Sequence, residues 1–137
     1  MAIIQWFPGH MSKARRQVQE NLKFVDFVTI LVDARLPLSS QNPMLTKIVG
    51  DKPRLLILNK ADLADPALTK EWRQHFESKG IQTLAINSKE QVTVKVVTDA
   101  AKKLMADKIA RQKERGIQIE TLRTMIIGIP NAGKSTL

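Results

Sequence analysis

The chain has 137 residues, 43% hydrophobic and 26% charged, the balance of one soluble domain with its own core. It has no cysteine, only His10 and His75, and no long apolar run, which excludes a disulfide framework, a thiolate metal site and a membrane span and leaves too few ligands for a zinc centre. The net charge of +9, from 22 basic and 13 acidic residues, points to a polyanionic partner with nucleic acid first in line; four Phe, two Trp and no Tyr argue against a base-stacking platform.

The N-terminus MAIIQWFPGHM has no basic region ahead of an apolar stretch and is no secretory signal, and the absence of cysteine suits a reducing compartment. Residues 1–11 read as an arm, extended from Ile3 and ending in a turn at Pro8-Gly9. Ser12 is placed to cap a helix to about Phe24, with Ala14, Val18, Leu22 and Val25 at helical spacing. FVTILV, Phe27 to Val32, is a nearly continuous apolar run that reads as a buried parallel-type strand ended by Asp33. Asn42-Pro43 then looks like a cap and first-turn proline for a short helix that ends at Gly50.

A second buried strand, Leu55 to Leu58, runs into Asn59-Lys60-Ala61-Asp62. Asp65-Pro66 starts the next helix, with Leu68, Trp72 and Phe76 at i+4 steps, His75 on their flank and Gly80 as the stop. Ile81 to Ile86 is a weaker strand ending in Asn87-Ser88-Lys89. One long helix is expected from about Val92 to Arg115, apolar early and basic late, and Leu122 to Ile127 is the last strand. Strands alternating with helices predict an α/β fold, a parallel sheet covered by helices on both faces, with ligands at the carboxyl ends of the strands. Two clusters carry the basic excess: Lys13, Arg15, Arg16 and Lys23, and Lys102, Lys103, Lys108, Arg111, Lys113 and Arg115. Each reads equally as a polyanion surface or a solvated helix face.

Two motifs carry chemistry. Gly128-Ile129-Pro130-Asn131-Ala132-Gly133-Lys134-Ser135 fits G-x-x-x-x-G-K-[ST], and a buried strand precedes it. Its glycines let backbone N–H groups of Asn131, Ala132 and Gly133 through Thr136 point at phosphate oxygens. Lys134 would put a point charge at the β- and γ-phosphates, and the Ser135 hydroxyl would be one ligand of Mg²⁺. A helix should start here, but the chain stops at Leu137, so the expectation is a domain cut short after the phosphate loop.

The second motif is Asn59-Lys60-x-Asp62. A guanine edge presents two donors, N1–H and the N2 amine, and the Asp62 carboxylate can accept both. Adenine offers an acceptor there, which leaves the charge unpaired. Lys60 would lay its methylene stem on the base and Asn59 would brace the loop. Asp62 also fits a helix cap. Asn87 and Ser88 form either an ordinary turn or one that turns a backbone N–H to the guanine O6.

The base-reading motif precedes the phosphate motif, the reverse of ordinary small GTPases. A circularly permuted chain keeps each strand in place and moves only the surface termini. Trp6-Phe7-Pro8-Gly9-His10-Met11 with Lys13-Ala14, Asp33-Ala34-Arg35-x-Pro37 with Asn42-Pro43, Asn59 to Asp62, and Gly128 to Thr136 together resemble the circularly permuted ribosome-assembly GTPases. The resemblance covers the whole chain but only the first part of the family's protein. It implies a P-loop NTPase fold, permuted, with residues 1–137 an incomplete GTPase domain that lacks the switch regions and a C-terminal RNA-binding domain.

It also implies a monomeric cytoplasmic enzyme that binds GTP or GDP, acts on the immature large (50S) ribosomal subunit and its rRNA at a late step, and hydrolyses GTP there with Mg²⁺. The alternative is a nucleotide-gated RNA-binding regulator without significant turnover. His10 matches the histidine proposed to act on the attacking water, and caps the following helix in the other reading. Asn131 matches the asparagine that holds K⁺ in cation-dependent GTPases, or is a turn residue. By analogy with this family the sheet order is last strand, first, second, third, which would leave Leu122 to Ile127 as an exposed edge.

Overall fold

The computed structural model describes residues 2–5, 11–35, 43–89, 94–116 and 122–129. In chain order the elements are β1 (Ala2–Gln5), α1 (Met11–Leu22), β2 (Phe27–Asp33), α2 (Pro43–Val49), β3 (Arg54–Asn59), a 3₁₀ turn (Ala61–Leu63), α3 (Pro66–Ser78), β4 (Gln82–Ala85), α4 (Val94–Leu104), α5 (Ala106–Glu114) and β5 (Thr124–Gly128). The five strands form one sheet in the order β1-β5-β2-β3-β4. Every pairing is parallel, so all strands deliver their carboxyl ends to the same edge.

Buried parallel strands alternate sides, and the two cores follow from that alternation. Val28, Ile30 and Val32 of β2 and Leu56 and Leu58 of β3 point to the face covered by Ala14 and Val18 of α1, Leu45 and Val49 of α2 and Phe76 of α3. Phe27 of β2 with Leu55 and Ile57 of β3 points to the other, under Val97, Ala100 and Ala101 of α4 and Met105. The predicted order of the last four strands is the observed one. The predicted open edge is not: β1 pairs with β5 from Ala2↔Met125 to Gln5↔Gly128, and Ile4 is buried there. The arm therefore contributes an outer strand, because its apolar residues can extend the sheet that the strand β5 would otherwise terminate.

Three local readings are corrected. Ser12 lies inside α1, which begins at Met11, so it is not the cap. The long C-terminal helix is two helices: Met105 has φ −100° and ψ 13°, and α5 starts anew after it. Met105 is itself buried in the second core, so packing its side chain there takes the place of a continuous helix axis. On α3 the inward residues are Thr69 and Phe76, whereas Leu68 is 53% exposed. Trp72 stacks on Phe76 at 5.7 Å and His75 sits edge-on to both rings, the structural role expected of it. Asp65 caps α3 by accepting from the Ala67 N–H at 2.9 Å, with Pro66 in the first turn, and Gly80 ends it with φ +80°.

Candidate functional site

The site is built where β5, β2, β3 and β4 end. Asp33 closes β2 in register with Asn59, which closes β3. The Asn59 carbonyl accepts from the Ala34 N–H at 2.7 Å, so the loop after β2 is tied to the loop after β3. Asp33 is nearly buried and receives three bonds from Arg35: the backbone N–H and Nε to Oδ1 at 2.9 Å each, and Nη2 to Oδ2 at 2.6 Å. That bidentate fork holds the Asp33 carboxyl down from 3.8 to about 2, with nearby Lys60 adding to the effect against the cost of burial. Asp33 is thus the loop-bracing residue that its place at a strand end suggests.

After Asn59 the backbone turns sharply. Lys60 has φ 59° and ψ 39°, a left-handed conformation that a non-glycine residue adopts at a cost. The turn is pinned by the Ala61 N–H donating to the Ile86 carbonyl at 2.8 Å, while the Ile86 N–H donates to the Leu58 carbonyl at 2.9 Å. These two bonds lash the loop after β3 to the loop after β4. They bring Ser88 to Asp62: its N–H donates to Oδ1 and its Oγ–H to Oδ2, each at 2.6 Å. Both bonds favour the ionised carboxyl, and Ser88 is the main reason that the Asp62 pKa is lowered.

The chemistry of this arrangement is specific. An ionised carboxylate has about four acceptor positions, and Ser88 uses one on each oxygen. Asp62 is exposed, so the outer side of its carboxylate is accessible to donors on one rigid edge. A carboxyl that stays ionised cannot donate, so an edge presenting an acceptor is refused. Asp62 does not cap α3; Asp65 does. Ser88 and Lys89 form the turn beside it, and Asn87 leads into that turn.

Of the phosphate motif, Gly128 and Ile129 are described. Gly128 ends β5, and the Ile129 N–H donates to the Leu31 carbonyl at 2.9 Å, which carries the chain out over the same edge. β2 alone separates β5 from β3, and Gly128 pairs with Leu31 where Asn59 pairs with Asp33, so Gly128 and the Asn59 turn emerge two strand spacings across and two residues along from each other, roughly 12 Å apart. His10, Asn131, Ala132, Gly133, Lys134, Ser135 and Thr136 lie outside the described residues. Among the described residues no three His, Cys, Asp or Glu side chains gather to hold a metal, and no helix is long and apolar enough to cross a membrane. The Asp33–Arg35 fork and the Ser88 brace on Asp62 are not legible from motif spacing, since the first joins residues two apart on a loop and the second joins residues 26 apart in sequence.

No family model matches the chain. Individual proteins do. Ribosome biogenesis GTPase A of Bacillus licheniformis is 53% identical over 135 residues, covering 98% of this chain and 48% of that protein. Mitochondrial ribosome-associated GTPase 1 of Bos taurus is 38% identical, covering 98% of this chain and 40% of that protein. Among solved structures, GNP-bound YlqF from T. maritima superposes with a TM-score of 0.56 at 29% identity, over 90% of this chain and 45% of that one. The GDP-bound form of YlqF matches similarly, with a TM-score of 0.53. The chain spans about half the length of the curated relatives that it matches. With the parallel sheet and its strand order, these likenesses make the fold the circularly permuted P-loop GTPase fold.

Proposed function

From the premise that this chain belongs to the ribosome biogenesis GTPase A family, we propose that its whole protein binds and hydrolyses GTP in the cytoplasm during a late step of large ribosomal subunit assembly. Residues 1–137 are the first part of its GTPase domain. The observation that carries the nucleotide reading is the shared edge: the Asn59 turn, which leads to the Asp62 carboxylate braced by Ser88, and the start of the phosphate motif at Gly128 leave the same edge of the sheet roughly 12 Å apart, a span that one nucleotide bridges.

In this reading Asp62 accepts the guanine N1–H and N2 amine with the acceptor positions that Ser88 leaves open. Asn59, Lys60 and Asn87 complete the base pocket. Asn131, Ala132, Gly133, Lys134, Ser135 and Thr136 hold the phosphates, the residue types of this motif fitting that task. Ser135 would hold Mg²⁺, whose charge stabilises the transferring phosphoryl group, and Asn131 would hold K⁺. His10 would orient the attacking water.

The deciding experiment is a titration of the whole protein and its Asp62→Asn variant with GDP, GTP and ATP. Wild type should prefer guanine nucleotides by a factor on the order of 10⁴, and Asp62→Asn should lose about 10- to 100-fold in GDP affinity. Equal affinity for ATP and GTP in the wild type would remove the guanine assignment. Turnover on large-subunit particles, compared for wild type and His10→Ala and for K⁺ and Na⁺ buffers, separates hydrolysis from a binding-only regulator.

A further inference from the structure

We infer that the exposed cations of α5 and of the end of α4 form a docking face for double-stranded RNA, and that this face works whether or not nucleotide is bound. The inference rests on the ribosomal reading above and names the surface and the partner chemistry within it.

Helix α5 has no buried residue and offers only Ile109, partly buried, to the second core. Its contribution to the fold is small for its length. What it presents outward is charge: Arg111, Lys113 and Arg115 are exposed, as are Lys102 and Lys103 at the end of α4. Among the described residues none of these five has a carboxylate partner; Arg111 donates to the Asp107 carbonyl of its own helix at 3.4 Å. Cations near a helix C-terminus offset its dipole, but that effect is small and does not require so many.

Lys108 is different. It pairs with Asp26 at 3.3 Å, and Asp26 also accepts from the Arg123 N–H at 2.8 Å, so one ion pair anchors α5 to the start of β2 and leaves the rest of its charge free. Arg111 and Arg115 stand one turn apart on one side of the helix, about 6 Å along its axis.

The surroundings select the partner. Among the described residues the exposed large hydrophobics are Phe24, Leu63 and Leu68, and none of these lies on α4 or α5. A lipid surface or a protein interface would want an apolar or aromatic anchor there. Single-stranded RNA would want aromatic rings to stack on, and neither helix carries one. A cluster of exposed cations around one helix end, with polar neighbours, suits the phosphate backbone of an A-form duplex, which is read by shape and charge.

The anchor on Asp26 puts α5 at the amino ends of the strands, whereas Asn59, Asp62 and Ser88 lie at the carboxyl ends, roughly 20 Å away. No part of this face belongs to the nucleotide loops, so its contribution should be the same in every nucleotide state. The basic residues of α1 lie over the first core, on the opposite face of the sheet, and serve as the control.

The test uses the whole protein, a model A-form RNA duplex and large-subunit particles, with binding measured across a salt series. Arg111→Gln/Lys113→Gln/Arg115→Gln should lower the slope of log affinity against log salt by about 2 to 3, equally with GTP, with GDP and without nucleotide. Its melting temperature and GDP affinity should not change. Lys13→Gln/Arg15→Gln/Arg16→Gln removes the same charge from α1 and should leave the slope as it is. An unchanged slope in the α5 variant, an equal loss in the α1 variant, or a loss seen only with nucleotide bound would each overturn the docking face. Particle binding that persists in those cases leaves the ribosomal reading standing, and an unsubstituted protein that binds neither duplex nor particles removes both.

Discussion

Lys60 has a positive φ, the single non-glycine residue to do so among those described. Glycine would hold that turn without a clash, so the side chain is retained against a local cost. In the guanine-binding reading the return is a methylene stem laid on the base. Lys60→Gly should therefore leave stability within about 0.5 kcal/mol, since relief of the clash and the extra freedom of the unfolded chain offset each other. The same change should weaken GDP binding about threefold or more. Denaturant unfolding and a GDP titration read the two effects separately, and a variant that lost stability but not affinity would assign Lys60 to the fold.

Asp33 makes a pH prediction. Its folded pKa, about 2, lies below the ordinary 3.8, so the native state favours the ionised form. The resulting stability is fully present above about pH 4 and is lost as pH falls toward 2. The Arg35 side chain is 32% exposed, so the contribution is about 1–2 kcal/mol after allowance for solvent screening. Unfolding of wild type and Asp33→Asn measured from pH 5 to pH 2 should converge at the acid end. Parallel curves would mean that the fork to Arg35 holds no such energy.

Elements read most clearly where burial and period agreed. β2 and β3 are short apolar runs buried on both faces, and both were legible as strands from their length and the turn signals that bound them. α3 was legible from its cap, its proline and its stop. The failures share a cause. Four residues of β1 carry no period long enough to tell a strand from an extended arm, and only pairing with β5 decides between them. The break at Met105 is invisible because methionine is a good helix former; a local preference lost to a burial site. Since Ile4 is 3% exposed between that outer strand and the first core, Ile4→Ala should cost about 2–4 kcal/mol in denaturant unfolding. A cost near zero would mean that β1 adds nothing to the sheet.

Across the molecule, alternating strand and helix signals were enough to infer a parallel sheet covered on both faces, and the order of the last four strands came by analogy with the permuted GTPases that the chain resembles. The same reasoning carried the base-reading and phosphate motifs to one edge, because parallel strands end together. The residues that hold the site in shape were not readable. Ser88 on Asp62 and Arg35 on Asp33 belong to loops with no period, and their partners are defined by where strands end in space.

Composition, hydrophobic period and motif spacing thus specified this chain's class, the four inner and later strands of its sheet and the groups proposed to meet a nucleotide, since each depends on short-range order that side chains encode directly. Folding alone settled which strand closed the edge, where the last helix broke and which serine and arginine held the two carboxylates. Those outcomes come from competition among distant segments for the same buried positions and the same hydrogen-bond acceptors, and no local pattern records the winner.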